Sequence, residues 1–212
     1  MAACVEAWEI LFRAMQSIII ATKNAHKTGE FRAMLGAGYE VVDLTAFPEL
    51  PAADETGATF EENSAIKALH AAERFSGWVL ADDSGLEVDA LGGAPGVISA
   101  RYSGEGATDA SNRARLISEL RKLGGERFPA RFRCVLSVAE GTRVLGTWSG
   151  AVEGVVVPVE HGGGGFGYDA LFIPDGEAAT FAELPSEVKN RLSHRARAFA
   201  AFAEWLRGES EQ

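Results

Sequence analysis

The order in which two hydrophobic periodicities appear most restricts the architecture open to this 212-residue chain. Near its start, Ser17–Thr22 is a compact β-branched run of the kind buried in a sheet, and Asn24 follows where a helix N-cap belongs. Residues 25–36 then read as helix, closed by Gly36 and Gly38, and Tyr39 to Asp43 as a second strand. Thr59 and Glu62 stand at capping-box spacing ahead of helical periodicity over 60–75. Trp78 to Ala81 reads as a strand that delivers Asp82 and Asp83 at its C-terminal end. A glycine- and proline-rich turn at 92–96 and a helix over about 108–123 come next. Two long runs, Arg131–Glu140 and Arg143–Glu153, joined by Gly141–Thr142, then predict a β-hairpin. A strand near Leu171–Ile173 and a helix from Ser193 to Leu206 complete the reading. Strands and helices alternating early with a hairpin late predict an α/β fold with a mixed sheet.

Composition narrows the class. Apolar residues at 47% and charged residues at 24% are those of a globular chain, which rules out disorder or fibre as the main state. A net charge of −10 argues against broad contact with nucleic acid, whose binders carry a basic face. No apolar run approaches the roughly 20 residues that span a bilayer, so no membrane association is expected. Cys4 and Cys134 cannot build a disulfide framework and fit a cytoplasmic protein. Residues 1–16 read as an N-terminal extension, either disordered or lying ahead of a true start at Met15, because they lack signal-peptide organisation. Residues 17–207 read as a single domain and 208–212 as a tail.

Five groups of residues could carry chemistry. Thr22, Lys23, Asn24, Ala25, His26 and Lys27 run from a strand into a helix N-terminus, which offers unpaired N–H groups to a phosphate. An ordinary capped helix with a solvated lysine would look the same. Asp82 and Asp83, followed by Ser84 and Gly85, are adjacent acids that a cation or proton would help to coexist, and their oxygens suit a hard metal such as Mg²⁺. An Asp-rich turn is the plain alternative. Asp54 and Glu55 lie in an arginine- and lysine-free acidic stretch from Ala33 to Ile66 and could supply a second metal ligand. On chemistry alone either would serve, and Lys67 beyond them could contact phosphate. Four glycines, Gly162 to Gly165, precede Phe166, Gly167, Tyr168 and Asp169. Such a loop lets backbone approach a ligand and frees Phe166 to stack on a nucleobase, unless its aromatics fold into the core. Lys189, then His194 and Arg195 behind the cap Ser193, put cations at a helix start where the dipole disfavours them, which points to an anionic or carbonyl partner.

In this order the five groups resemble the inosine triphosphate pyrophosphatase family, over about residues 17–207. The resemblance implies an elongated mixed sheet with two α/β lobes, the active site in the cleft between them, and a homodimer. It implies Mg²⁺ as cofactor, held by Glu55 and Asp83, with Asp83 also the catalytic proton acceptor. It assigns Thr22 to Lys27, Lys67, Ser84, Phe166 to Asp169, Lys189, His194 and Arg195 to substrate binding. Departures from the family pattern are small: Ile98 for a tyrosine, Ala170 for a proline, an extra glycine in the run, and Val188 for an acid. The activity implied is hydrolysis of dITP, ITP and XTP to monophosphate and pyrophosphate. A buried donor from Arg195, His194 or loop backbone would select the 6-keto group over the 6-amino group of adenine. A pyrophosphatase for other modified nucleotides and a non-catalytic nucleotide-binding protein are the alternative readings.

Overall fold

The computed structural model describes residues 16–210. The readings for residues 1–15 and for the last two residues of the tail lie outside the described residues. Among the described residues, six strands and five helices follow in order: β1 Gln16–Ile20, α1 Ala25–Leu35, β2 Tyr39–Asp43, α2 Phe60–Ala72, β3 Val79–Val88, α3 Asp109–Leu123, β4 Phe128–Glu140, β5 Arg143–Val156, β6 Phe172–Pro174, α4 Ser186–Leu192 and α5 His194–Ser210. The strands pair in the order β2-β1-β3-β4-β5-β6. β1 runs parallel to both β2 and β3, while β5 and β6 are antiparallel, so the sheet is mixed as expected. Among the described residues no helix is long and apolar enough to cross a membrane.

The described residues gather into two compact units. The first holds the chain up to Gly57, Glu61–Asp82 and Ser137–Thr147. Its core joins Ala21, Leu44, Leu50, Val79 and Ala81 to the alanine face of α2, Ala68, Ala71 and Ala72. Alanine at those three positions lets the helix lie close to the strands with little side-chain entropy to lose. A line of hydroxyls, Ser64 to Ser137 at 2.7 Å and Ser137 to Thr147 at 3.2 Å, satisfies the polar atoms buried there. The second unit holds Ala58–Phe60, Asp83–Leu136 and Trp148–Gln212. Its core is larger and more aromatic, with Phe128, Phe132, Phe172 and Phe181 packed on Leu86, Val88, Leu116 and Leu120. Phe132 and Phe172 meet edge-on at 4.8 Å, an arrangement that favours the ring quadrupoles.

Two expectations change. β3 does not stop at Ala81: it runs on to Val88, so Asp82 and Asp83 lie within the strand rather than at its end. The cause is the alternation beyond them, since Leu86 and Val88 are both fully buried and keep the chain extended. Consecutive residues of a strand project to opposite faces, so the two carboxylates do not share one side of β3. The second change is α4, a two-turn helix that carries Lys189 and that the sequence reading passed over.

Candidate active site

The turn after β1 folds as its residues dictate. Asn24 caps α1, its Oδ1 accepting from the amides of His26 at 2.9 Å and Lys27 at 3.3 Å, and its own amide donates to Thr22 Oγ1 at 3.1 Å. Ala25 and His26 are exposed on the first turn. Lys23 turns away, its ammonium donating to the carbonyls of Leu50 at 2.8 Å and Pro48 at 3.4 Å, so it anchors the acidic loop. Lys27 reaches Asp82 in β3 at 2.8 Å, and that carboxylate is 1% exposed against 17% for the lysine.

In the acidic loop the structure separates the two candidates. Asp54 is exposed, whereas Glu55 is half-buried and pairs with Lys67 of α2 at 3.2 Å. Asn63, fully buried one turn earlier, accepts from the Gly57 amide at 2.8 Å and closes the loop onto the helix. Asp43 ends β2 as a turn former. Burial would raise its pKa, but hydrogen bonds from Thr45 and Thr28, helped by Arg32, hold it below the ordinary 3.8.

The second unit brings its candidates together around Asp169. Asp169 Oδ2 accepts from Lys189 Nζ at 2.6 Å and from the Phe166 amide at 2.9 Å. Gly165, at φ +70°, has no space for a side chain because a Cβ there would run into that same carboxylate. Lys189 Nζ lies 4.5 Å from the centre of the half-buried Phe166 ring, and the Arg195 guanidinium lies 6.0 Å from it. Arg195 is 1% exposed and donates to Ser84 Oγ at 3.0 Å. His194 is buried and stacked on Phe132, ring centres 4.9 Å apart and planes 15° from parallel. Ser193 Oγ accepts from the Ala196 amide at 3.2 Å, the cap that sequence had assigned it. Helix α5 can seat here because Gly150 of β5 lacks a side chain: a Cβ would strike the amide of Ala198 and the carbonyl of His194.

Tyr168 follows the alternative in which an aromatic of this loop folds into the core. Its ring belongs to the core of the second unit and its hydroxyl donates to Ser99 O at 2.8 Å, with burial raising its pKa. A nucleotide contact at this position would use backbone, not the phenol. Gly167 is held from outside the loop, its amide donating to Asp109 at 2.7 Å and its carbonyl accepting from Arg113 at 2.9 Å. Sequence reasoning missed both partners. Their i, i+4 spacing at a helix start was the available signal.

The chemistry of each candidate ligand taken by itself suits a hard divalent cation: Asp83 is a buried carboxylate and Glu55 a half-buried one, and oxygen is the ligand such ions take. Among the described residues no three His, Cys, Asp or Glu side chains gather into a metal-holding group. Mg²⁺ requires none, since one or two acids with waters and substrate phosphates complete its shell.

The Ham1 family profile matches residues 18–205. The chain belongs to the Ham1 family. Curated relatives agree: a dITP/XTP pyrophosphatase of Geobacter sulfurreducens is 46% identical over 91% of this chain and 97% of its own. One from Exiguobacterium sibiricum is 48% identical over 85% and 92%. Among solved structures, a Ham1 protein of Coxiella burnetii superposes with a TM-score of 0.82 at 36% identity, over 92% of this chain and all of the other. A dITP/XTP pyrophosphatase of Mycobacterium abscessus gives 0.70 at 40% identity, over 88% and 98%. The α/β fold with a mixed sheet expected from sequence is thus the fold of the Ham1 family.

Proposed function

We propose that this chain hydrolyses the non-standard purine nucleoside triphosphates dITP, ITP and XTP to the monophosphate and pyrophosphate, clearing them from the nucleotide pool. Curated Ham1 relatives named for this activity match nine-tenths of the chain, and that is the observation that carries the reading. Mg²⁺ is the proposed cofactor, with Glu55 and Asp83 as its protein ligands; when bound it would lower the pKa of water and neutralise phosphate charge.

The chain's own residues do the rest. Asp83 accepts the proton of the attacking water. A triphosphate carries about four negative charges, which a protein at −10 would repel without local cations. Lys27, Lys67, Lys189 and Arg195 supply them. Three of these are already oriented by acids, Asp82, Glu55 and Asp169, so little rotamer freedom remains to be lost when phosphate arrives. The exposed first turn of α1, with Thr22 and Asn24 fixing its cap, presents backbone N–H groups to the phosphate tail. Phe166 offers a ring face to the base, and the buried Arg195 a donor to its 6-keto oxygen. The site works in the cytoplasm and in a homodimer in this reading, the second of which sedimentation would check.

Replacing Asp83 by Asn should lower kcat by about 10²- to 10⁴-fold, the usual worth of a positioned base, with KM for dITP within a few-fold. Pyrophosphate release from a panel of dITP, ITP, XTP and dATP, with and without Mg²⁺, is the measurement. Near-normal turnover of the variant would sink the role of Asp83. Equal rates for dATP and dITP would sink the base pocket.

A further inference from the structure

The base-stacking loop has an external clamp. Gly167 joins Phe166 to the buried Tyr168 at φ +60°, and with no side chain it imposes little steric control on the ring beside it. Control comes instead from α3. Asp109, the first residue of that helix, accepts from the Gly167 amide at 2.7 Å, and Arg113, one turn later, donates to the Gly167 carbonyl at 2.9 Å. The Arg113 Nε also pairs with Glu160, just before the glycine run, at 3.1 Å.

The helix that carries this grip is itself well fixed. Thr108 and Ser111 close a capping box at its start, and Leu116 and Leu120 are fully buried in the core of the second unit. Both bonds to Gly167 involve a charged partner, which makes them stronger than bonds between neutral groups. With Asp169 holding the Phe166 amide from inside the loop, peptide groups on each side of the ring are tied to fixed points.

We propose that Asp109 and Arg113 are positioning residues for the nucleobase: by fixing both polar groups of Gly167 they hold the Phe166 ring where a purine stacks. Neither touches the substrate in this scheme. The proposal rests on the nucleotide reading above and adds to it a specificity for base rather than phosphate binding. The clamp acts on the platform only, so phosphate contacts and the proton acceptor Asp83 should be untouched by its loss.

The test uses the full chain with Asp109→Ala, Asp109→Asn and Arg113→Met, reading pyrophosphate release from dITP and inhibition by inorganic tripolyphosphate, a probe with no base. Asp109→Ala and Arg113→Met should each raise KM for dITP about tenfold, within the range of a lost base–aromatic stack, with kcat within about twofold. Inhibition by tripolyphosphate should not change. Asp109→Asn keeps an oxygen that can accept from the Gly167 amide and should restore KM, which separates the hydrogen bond from the charge at the helix start. Arg113→Lys covers the case in which Arg113→Met does not fold, with a smaller rise of about threefold expected because one ammonium cannot span both partners. An unchanged KM in Asp109→Ala overturns the clamp, as does weakened tripolyphosphate inhibition in step with KM. Failure of the unsubstituted chain to act on any triphosphate overturns the nucleotide reading itself, and that result is visible before variants are compared.

Discussion

Each unit of the chain pairs a lysine with a buried aspartate, and the two pairs hold their acids in different company. Asp82 sits within β3, where ladder hydrogen bonds already fix the backbone, and Lys27 reaches it from a helix turn that Asn24 caps independently. Asp169 sits at the end of a glycine run with no ladder, and one of its oxygens takes both the Lys189 ammonium and the Phe166 amide. Lys27 keeps 17% of its side chain exposed, Lys189 only 8%. The same ion pair is therefore an accessory where backbone is regular and a scaffold where it is not. A lysine of the first kind can turn toward a ligand at small cost, whereas one of the second kind carries the shape of its loop.

The sharpest way to break this comparison is Lys189→Met. It strands a buried carboxylate that organises the loop, and should destabilise the chain by about 3–5 kcal/mol in urea or thermal unfolding. Gly165→Ala attacks the same carboxylate from the other side. A methyl group there meets Asp169 at a backbone angle that disfavours side chains, for a loss of about 1–3 kcal/mol. Lys27→Met should be milder, about 1–2 kcal/mol, because water can reach the lysine end of its pair. Its main effect should fall on substrate, with KM for dITP raised about tenfold, the worth of one charge-assisted bond. Equal destabilisation by Lys27→Met and Lys189→Met would erase the distinction.

Asp43 sharpens the contrast from a third side, as a buried acid held by hydroxyls and a backbone amide rather than by a lysine. Its pKa is lowered in the folded chain, so its contribution to stability is present above the ordinary 3.8 and lost as pH falls below it. The Asp43→Asn variant should show a shallower loss of stability on that acid limb, a change smaller than the others. An identical pH profile would show that the hydroxyl bonds do not discriminate the ionised form.

Much of this is legible in the sequence. Asn24 as a cap, β2, the hairpin at Gly141–Thr142 and the helix capped by Thr108 all follow from local signals, because turn and cap chemistry acts within a few residues. The extension of β3 through Asp82 and Asp83 was not legible, since two acids before Ser-Gly imitate a turn and only burial of Leu86 and Val88 keeps the chain straight. Among candidate site residues, the order of motifs identified the groups but not their engagements. That Lys23 anchors carbonyls of the acidic loop, or that the Tyr168 phenol belongs to the core, depends on residues 25 and 69 positions away. The choice of Glu55 over Asp54 was open on chemistry. In the structure Glu55 pairs with Lys67.

Gly150 has a consequence for how this sequence can drift. A strand position next to a helix ordinarily accepts exchange among alanine, valine and serine with modest repacking, but here the substituent limit is a hydrogen atom. A mutation at that site would be registered less by β5 than by the opening turn of α5, and so by the reach of Arg195, which lies 45 residues further along the chain. Anyone re-engineering base preference through Arg195 inherits that constraint, because any longer side chain at 150 would lift the turn from which the guanidinium extends.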